Sequence, residues 1–235
     1  MASGVRQLFR LPAAKPRQPL KKTQNPLDRV GPLLKFKWLV ASVAATGKRR
    51  LKPSVTYIGV TGSCGKTTTT QLTGEVLSAA GRCFVNTDRN GPEGLSRSML
   101  SMRSGFEYAI HELCGAWPGR IRQQTRILKP QIGVVTTVGS DHFKVYRTLE
   151  ATAKEKGVLA EALPQQGWLI LNADDPLVRA MAQRTRARVI TYGLSADADV
   201  RGSDVTSKWP DRLAVTITHG NESLRVASRL VGNFG

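Results

Sequence analysis

Cysteine is scarce in this chain, and the three that occur, Cys64, Cys83 and Cys114, show no C-x-x-C spacing. That argues against a disulfide framework or a zinc ribbon and fits a reducing cytoplasm. Long apolar runs are also lacking. None approaches the roughly eighteen residues that cross a bilayer, and the N-terminus has no uninterrupted apolar stretch of signal-peptide type. A soluble protein without a membrane span is expected. Acids are the third shortage: residues 1–52 hold thirteen Lys or Arg against the single acid Asp28, so net +12 of the formal +18 lies there. The total would suggest nucleic acid or an acidic surface, but with the charge gathered in this arm the body of the chain is only mildly basic, and a nucleic-acid partner is not expected.

What is present is ordinary in amount: 40% hydrophobic residues over 235, enough to bury one α/β core. Its most informative arrangement is V-T-Y-I-G-V-T-G-S-C-G-K-T-T-T-T, Val55 to Thr70. Val55, Tyr57, Ile58 and Val60 read as a buried strand, Thr61 to Gly65 as a glycine-rich turn, and Lys66 onward as a helix. In that context the backbone N–H groups of the loop crowd a polyphosphate, Lys66 reaches its β/γ oxygens and Thr67 holds magnesium. The strict G-x-x-x-x-G-K-[ST] pattern fails at its first position, Val60, with the glycine one place earlier at Gly59. Gly62 and Gly65 still stand where the backbone must turn.

Residues 1 to about 30 mix Pro, Lys, Arg and Gln without period and read as a mobile arm. Leu33 to Ala45 reads as a short helix, with Leu34, Trp38, Val40 and Val43 as docking residues; a helix packed on the domain is the favoured reading over a membrane-surface helix. Residues 53–235 then form the catalytic domain. Strands are expected at 82–86, 106–113, 132–138, 168–172 and 188–192, alternating with helices at 67–80, 95–102, 120–128, 148–163 and 176–184. That alternation predicts a doubly wound, mostly parallel sheet of P-loop type in three αβα layers. Beyond Gly193, short strands at 213–218 and 224–227 around His219-Gly220-Asn221 predict a small antiparallel appendage.

The strand ends carry the remaining chemistry, since doubly wound sheets bind ligands there. Glu112 closes Y-A-I-H-E-L, Asp141 and His142 follow I-G-V-V-T-T-V beyond Gly139-Ser140, and Asn172, Asp174 and Asp175 follow W-L-I-L. Each also has a structural reading: an Arg partner for Glu112, a helix cap for His142, and an N-cap before Pro176 for Asp175. Together with the loop Thr they form a plausible hard-ion and phosphate cluster.

In order, G-V-T-G-S-C-G-K-T-T-T, E-L-C-G-A-W-P-G-R-I, T-T-V-G-S-D-H-F, A-K-E-K-G and L-N-A-D-D-P resemble the central ATP-binding domain of the Mur ligase family, from about Ser54 to Gly235. E-L-x-x-x-x-P-G-x-I and V-G-x-x-H most resemble the branch that adds D-alanyl-D-alanine to a UDP-linked muramoyl tripeptide. The resemblance implies an ATP-dependent ligase in peptidoglycan precursor synthesis that joins an acidic acyl substrate to an amino acid or dipeptide through an acyl phosphate, with ATP and Mg2+. It implies that Gly62, Ser63, Cys64, Gly65, Lys66, Thr67, Thr68 and Asn172 bind nucleotide. Thr67 and Glu112 would hold one magnesium and His142 would contact a second. Lys156 stands where many members carry a carbamylated lysine, with Lys154 as the alternative register, and Asn90 matches a loop near the acyl substrate. Lys66, Glu112, His142 and Lys156 are thus the expected catalytic residues.

Thr137 stands where the family usually has Asn, Cys114 to Trp117 differ from the usual residues, and the basic arm replaces a folded UDP-binding domain. The chain is expected to stop short of a C-terminal ligase domain. Two alternatives follow: a Mur-type ligase for a polyglutamate-like acceptor, and a non-catalytic nucleotide-binding protein whose arm grips nucleic acid.

Overall fold

Runs such as Ile132–Val135 are apolar on both faces because both faces are covered, and that is how they are placed in this computed structural model. It describes residues 31–88, 91–207 and 212–227. The strands are β1 (Thr56–Thr61), β2 (Cys83–Asn86), β3 (Tyr108–Glu112), β4 (Ile132–Val135), β5 (Trp168–Asn172), β6 (Arg188–Gly193), β7 (Val200–Thr206), β8 (Ala214–His219) and β9 (Glu222–Ala227). They join one sheet in the order β2-β3-β1-β4-β5-β6-β7-β8-β9. Pairing is parallel from β2 through β7 and antiparallel from β7 to β9.

The helices are α1 (Pro32–Arg50), α2 (Lys66–Leu77), α3 (Pro92–Ser101), α4 (Arg120–Leu128), α5 (Phe143–Tyr146), α6 (Leu149–Lys156), α7 (Val158–Glu161) and α8 (Pro176–Arg179). Side chains alternate across the sheet. Tyr57, Ala109, Leu113, Val135, Leu169 and Leu171 join the core with residues of α3, α4 and α7, while Ile58, Val60, Ile110 and Val134 pack with Leu77 of α2. These are the expected three layers. β1 sits between β3 and β4, so its loop opens at the point where strand order reverses, flanked by the tips of both neighbours.

The differences from the sequence reading are local. β7, V-R-G-S-D-V-T, was not anticipated; it joins the expected antiparallel strands at the end of the chain to the main sheet. The helix expected over 148–163 divides at Gly157, where the Arg184 guanidinium occupies the space a Cβ would need. The stretch from Ala180 to Arg184 tightens into a 3-10 turn after α8.

α1 packs against α3 and α4, as favoured, but on another face. Leu34, Val40 and Val43 are exposed, and of the four expected docking residues only Trp38 turns partly inward. Ala45 is the buried contact; Ser42 Oγ lies 3.2 Å from Ser96 Oγ, and Arg49 donates to the Leu128 and Lys129 carbonyls at 2.9 Å while lying over the Tyr57 ring.

His111 in β3 is fully buried, its ring tilted against Phe84 at 5.8 Å, with neither nitrogen hydrogen-bonded among the described residues. Burial without a partner disfavours the imidazolium and pushes its pKa down to about 3. Between the unfolded value near 6.5 and that folded value the unfolded chain binds the extra proton, so stability falls as pH drops through this window. The expected slope from this residue is about 1.4 kcal/mol per pH unit. Urea midpoints at pH 6.5 and pH 5 should converge for His111→Leu relative to the parent; equal acid losses in both would refute the assignment.

Candidate active site

The turn after β1 is shaped by two glycines. Gly62 has φ +152 and lies so close to the Thr136 hydroxyl that no Cβ fits, and Gly65 has φ +78 immediately before α2. The first turn of α2 has no side-chain cap, so its N–H groups and the positive end of the helix face the loop.

Two threonines from the end of β4 brace the turn. Ser63 N donates to the Thr137 carbonyl at 2.8 Å, Cys64 N to Thr137 Oγ1 at 3.0 Å, and Thr136 Oγ1 to the Cys64 carbonyl at 2.5 Å. Thus Thr137, read as a departure from a family pattern, secures the loop with both its backbone and its hydroxyl. Lys66 Nζ folds back to the Ser63 carbonyl at 3.2 Å, and Thr68 is exposed on the first turn of α2.

Glu112 is almost fully buried at the tip of β3, opposite Val60 in register, and accepts from Thr67 Oγ1 at 2.7 Å. The hydroxyl and carboxylate expected to share a magnesium ion therefore touch, and both are hard oxygen donors of the kind that ion takes. His142 is separate from this pair. It adopts a left-handed φ of +54 and starts the short α5 by accepting from Val145 N and Tyr146 N through its backbone carbonyl. Its Nε2 lies 3.9 Å from Asp141 Oδ2. Among the described residues, no three His, Cys, Asp or Glu side chains converge on one point.

Asp141 joins the two halves of the site. Ser63 Oγ donates to its Oδ1 at 2.5 Å, and Lys156 Nζ to its Oδ2 at 3.0 Å. Ser63 Oγ also accepts from Gly139 N at 2.6 Å. Lys156 is 2% exposed, and burial lowers its pKa below the ordinary lysine value although Asp141 opposes the shift. Lys154, by contrast, is exposed. The helix carrying it is held from behind: Arg184 donates to the Ala153 carbonyl at 3.1 Å and the Lys154 carbonyl at 2.9 Å, capping the last turn of α6. Glu155 turns the other way and accepts from Gly119 N and Ile121 N at the start of α4.

Asp175 acts as the N-cap of α8, accepting from Leu177 N and Val178 N, and its second oxygen accepts from Val138 N at 2.7 Å. Asn172 Oδ1 accepts from Asp174 N at 2.9 Å, and Asp174 accepts from Leu194 N and Ser195 N in the loop after β6. Asn90 lies outside the described residues. Sequence reading missed Thr136, Thr137 and Glu155; the run of hydroxyls directly after an apolar strand was the available signal for the first two.

Residues 60–235 match the family model of the Mur ligase middle domain. The chain belongs to the Mur ligase family. This Mur ligase domain is 40% identical over 137 residues to UDP-N-acetylmuramoyl-tripeptide–D-alanyl-D-alanine ligase of Mycobacterium leprae, an alignment covering 58% of the chain and 26% of that enzyme. It is 30% identical over 243 aligned residues to cyanophycin synthetase of Synechocystis sp., covering 89% of the chain and 27% of that protein. Among solved structures, MurF of Thermotoga maritima in complex with ADP superposes with a TM-score of 0.72 at 25% identity, covering 81% of the chain and 44% of that protein. The Mur ligase domain thus spans about a quarter of the length of these two curated relatives. No helix among the described residues is long and apolar enough to cross a membrane.

Proposed function

We propose that this domain binds ATP with Mg2+ in the cytoplasm and transfers the γ-phosphoryl group to a substrate carboxylate, as the nucleotide half-site of an amide-forming ligase. The single observation that carries the reading is the meeting, at the C-terminal ends of β3, β1 and β4, of the Lys66–Thr67 loop, Glu112 at the tip of β3 and the Ser63–Asp141–Lys156 chain. A carboxylate oxygen attacks the γ-phosphorus and ADP leaves, giving an acyl phosphate; an amine then attacks the carbonyl carbon and expels phosphate as the amide forms.

No side-chain nucleophile is needed. The work is the positioning of two anions and the offsetting of their charge, which Lys66 and the first turn of α2 supply at the β/γ oxygens. Thr67 and Glu112 would hold one magnesium and His142 would face a second; bound there, magnesium offsets phosphate charge. Ser63 and Asp141 keep the loop and Lys156 in register. Burial lowers the Lys156 pKa, which eases the loss of the proton that carbamylation by CO2 requires.

The acyl substrate has two candidates. The match to the D-alanyl-D-alanine ligase favours a UDP-linked muramoyl tripeptide and the dipeptide. The match to cyanophycin synthetase covers 89% of the chain, more than residues 56–235 can hold, and so takes in part of the segment before β1. That favours a non-UDP acidic acceptor as the second reading.

The test is ADP release from Mg-ATP with UDP-muramoyl tripeptide plus D-alanyl-D-alanine, or with a glutamyl acceptor plus glutamate, alongside calorimetric ATP binding. ADP formation that needs acyl donor and amine together supports the ligase and selects its substrate. ATP binding with turnover indifferent to both sets would overturn it.

A further inference from the structure

α1 is apolar on the side that faces away from the domain. Leu33, Phe36, Val40 and Val43 recur at helical spacing on the face opposite Ala45, and they are 68%, 62%, 51% and 65% exposed, with Leu39 beside them at 60%. At about 1.5 Å per residue the 19-residue helix is about 28 Å long, so this stripe is a continuous surface and not a scatter of single exposed side chains. Its flanks are cationic: Lys35, Lys37 and Arg50 are exposed on α1, and the helix contains no acid.

We infer that α1 docks this domain on the surface of an anionic phospholipid bilayer. The helix lies in the plane of the membrane, with Leu33, Phe36, Leu39, Val40 and Val43 entering the boundary between headgroups and acyl chains. The cations meet the anionic headgroups. This partner fits both halves of the observation. Nucleic acid would draw the cations but leave Phe36 and its neighbours in water, and a second copy would stack one acid-free cationic helix on another. The helix is held to the domain through its other face by Ser42, Ala45 and Arg49, so the apolar stripe is available without unfolding.

The test uses the 235-residue chain and sedimentation with vesicles, without nucleotide, so its outcome is independent of the ATP chemistry proposed above. Binding is expected to vesicles containing phosphatidylglycerol and to be weak to pure phosphatidylcholine, and to fall with salt. The triple variant Phe36→Gln, Val40→Gln, Val43→Gln and the pair Lys35→Glu, Lys37→Glu should each weaken binding by about tenfold or more with unchanged circular dichroism. Should the triple variant lose its fold, Phe36→Gln alone gives the same reading at smaller size. No sedimentation with anionic vesicles, equal binding by the apolar-face variants, or a parent dimer that these variants convert to monomer would each overturn the assignment.

Discussion

Lys66→Ala is expected to weaken ATP binding by about 10- to 100-fold, the worth of a hydrogen bond to a charged group, roughly 1.5–3 kcal/mol. The effect should be graded along the phosphate chain. The Lys66 head group rests on the Ser63 carbonyl at 3.2 Å, a contact it can exchange for the β/γ oxygens, so ATP should lose most, ADP less and AMP little. Lys66→Arg should not restore binding, because a broad planar guanidinium does not replace a compact ammonium in a turn this tight. Thermal stability should stay within about 2 °C of the parent, since the lysine anchors nothing in the core. Calorimetric titration with the three nucleotides checks the gradient; a uniform loss across all three would mean that the substitution had collapsed the loop.

Asp141→Ala is expected to cost about 3 kcal/mol at neutral pH, because it strands the Lys156 ammonium at 2% exposure with no counter-charge. For a domain of this size that is a fall in Tm of roughly 6–12 °C. Lys156→Met should be close to neutral for stability, since it removes the buried charge itself and leaves Asp141, which is 20% exposed, with the Ser63 hydroxyl and water. The two changes therefore differ in size of consequence although they break the same contact. The sign with pH is also set. In Asp141→Ala the folded lysine has a pKa below the unfolded value of 10.5, the unfolded chain holds the extra proton, and the lost stability returns as pH rises towards that value. Denaturant midpoints at pH 7 and pH 9.5 measure both effects; equal losses in the two variants would show that the contact, not the stranded charge, is what matters.

The strands were readable because parallel strands buried on both faces leave near-continuous Val, Ile and Leu, as in Ile132–Val135, and a glycine-rich turn between strand and helix leaves its own pattern at Thr61–Lys66. β7 was not, because it alternates charged and small residues near the sheet edge and owes its place to pairing with Tyr192 and with β8. α1 misled for a related reason: with apolar residues on more than one side, its period does not say which side the domain takes, and Ser42 and Ala45 won through close approach to α3. In the site, the residue types at each strand end were legible. Their joining was not, because Asp141 reaches Ser63 across 78 positions and Lys156 across 15, and such partners follow from topology alone.

Arg184 lies across Gly157 so closely that the missing side chain and the guanidinium share one space. The two positions are therefore coupled. A Cβ at 157 would have to push the guanidinium aside and loosen the cap on the helix that carries Lys156, while loss of the arginine would leave the Ala153 and Lys154 carbonyls without that donor, so a change at either position reaches the site through one helix end.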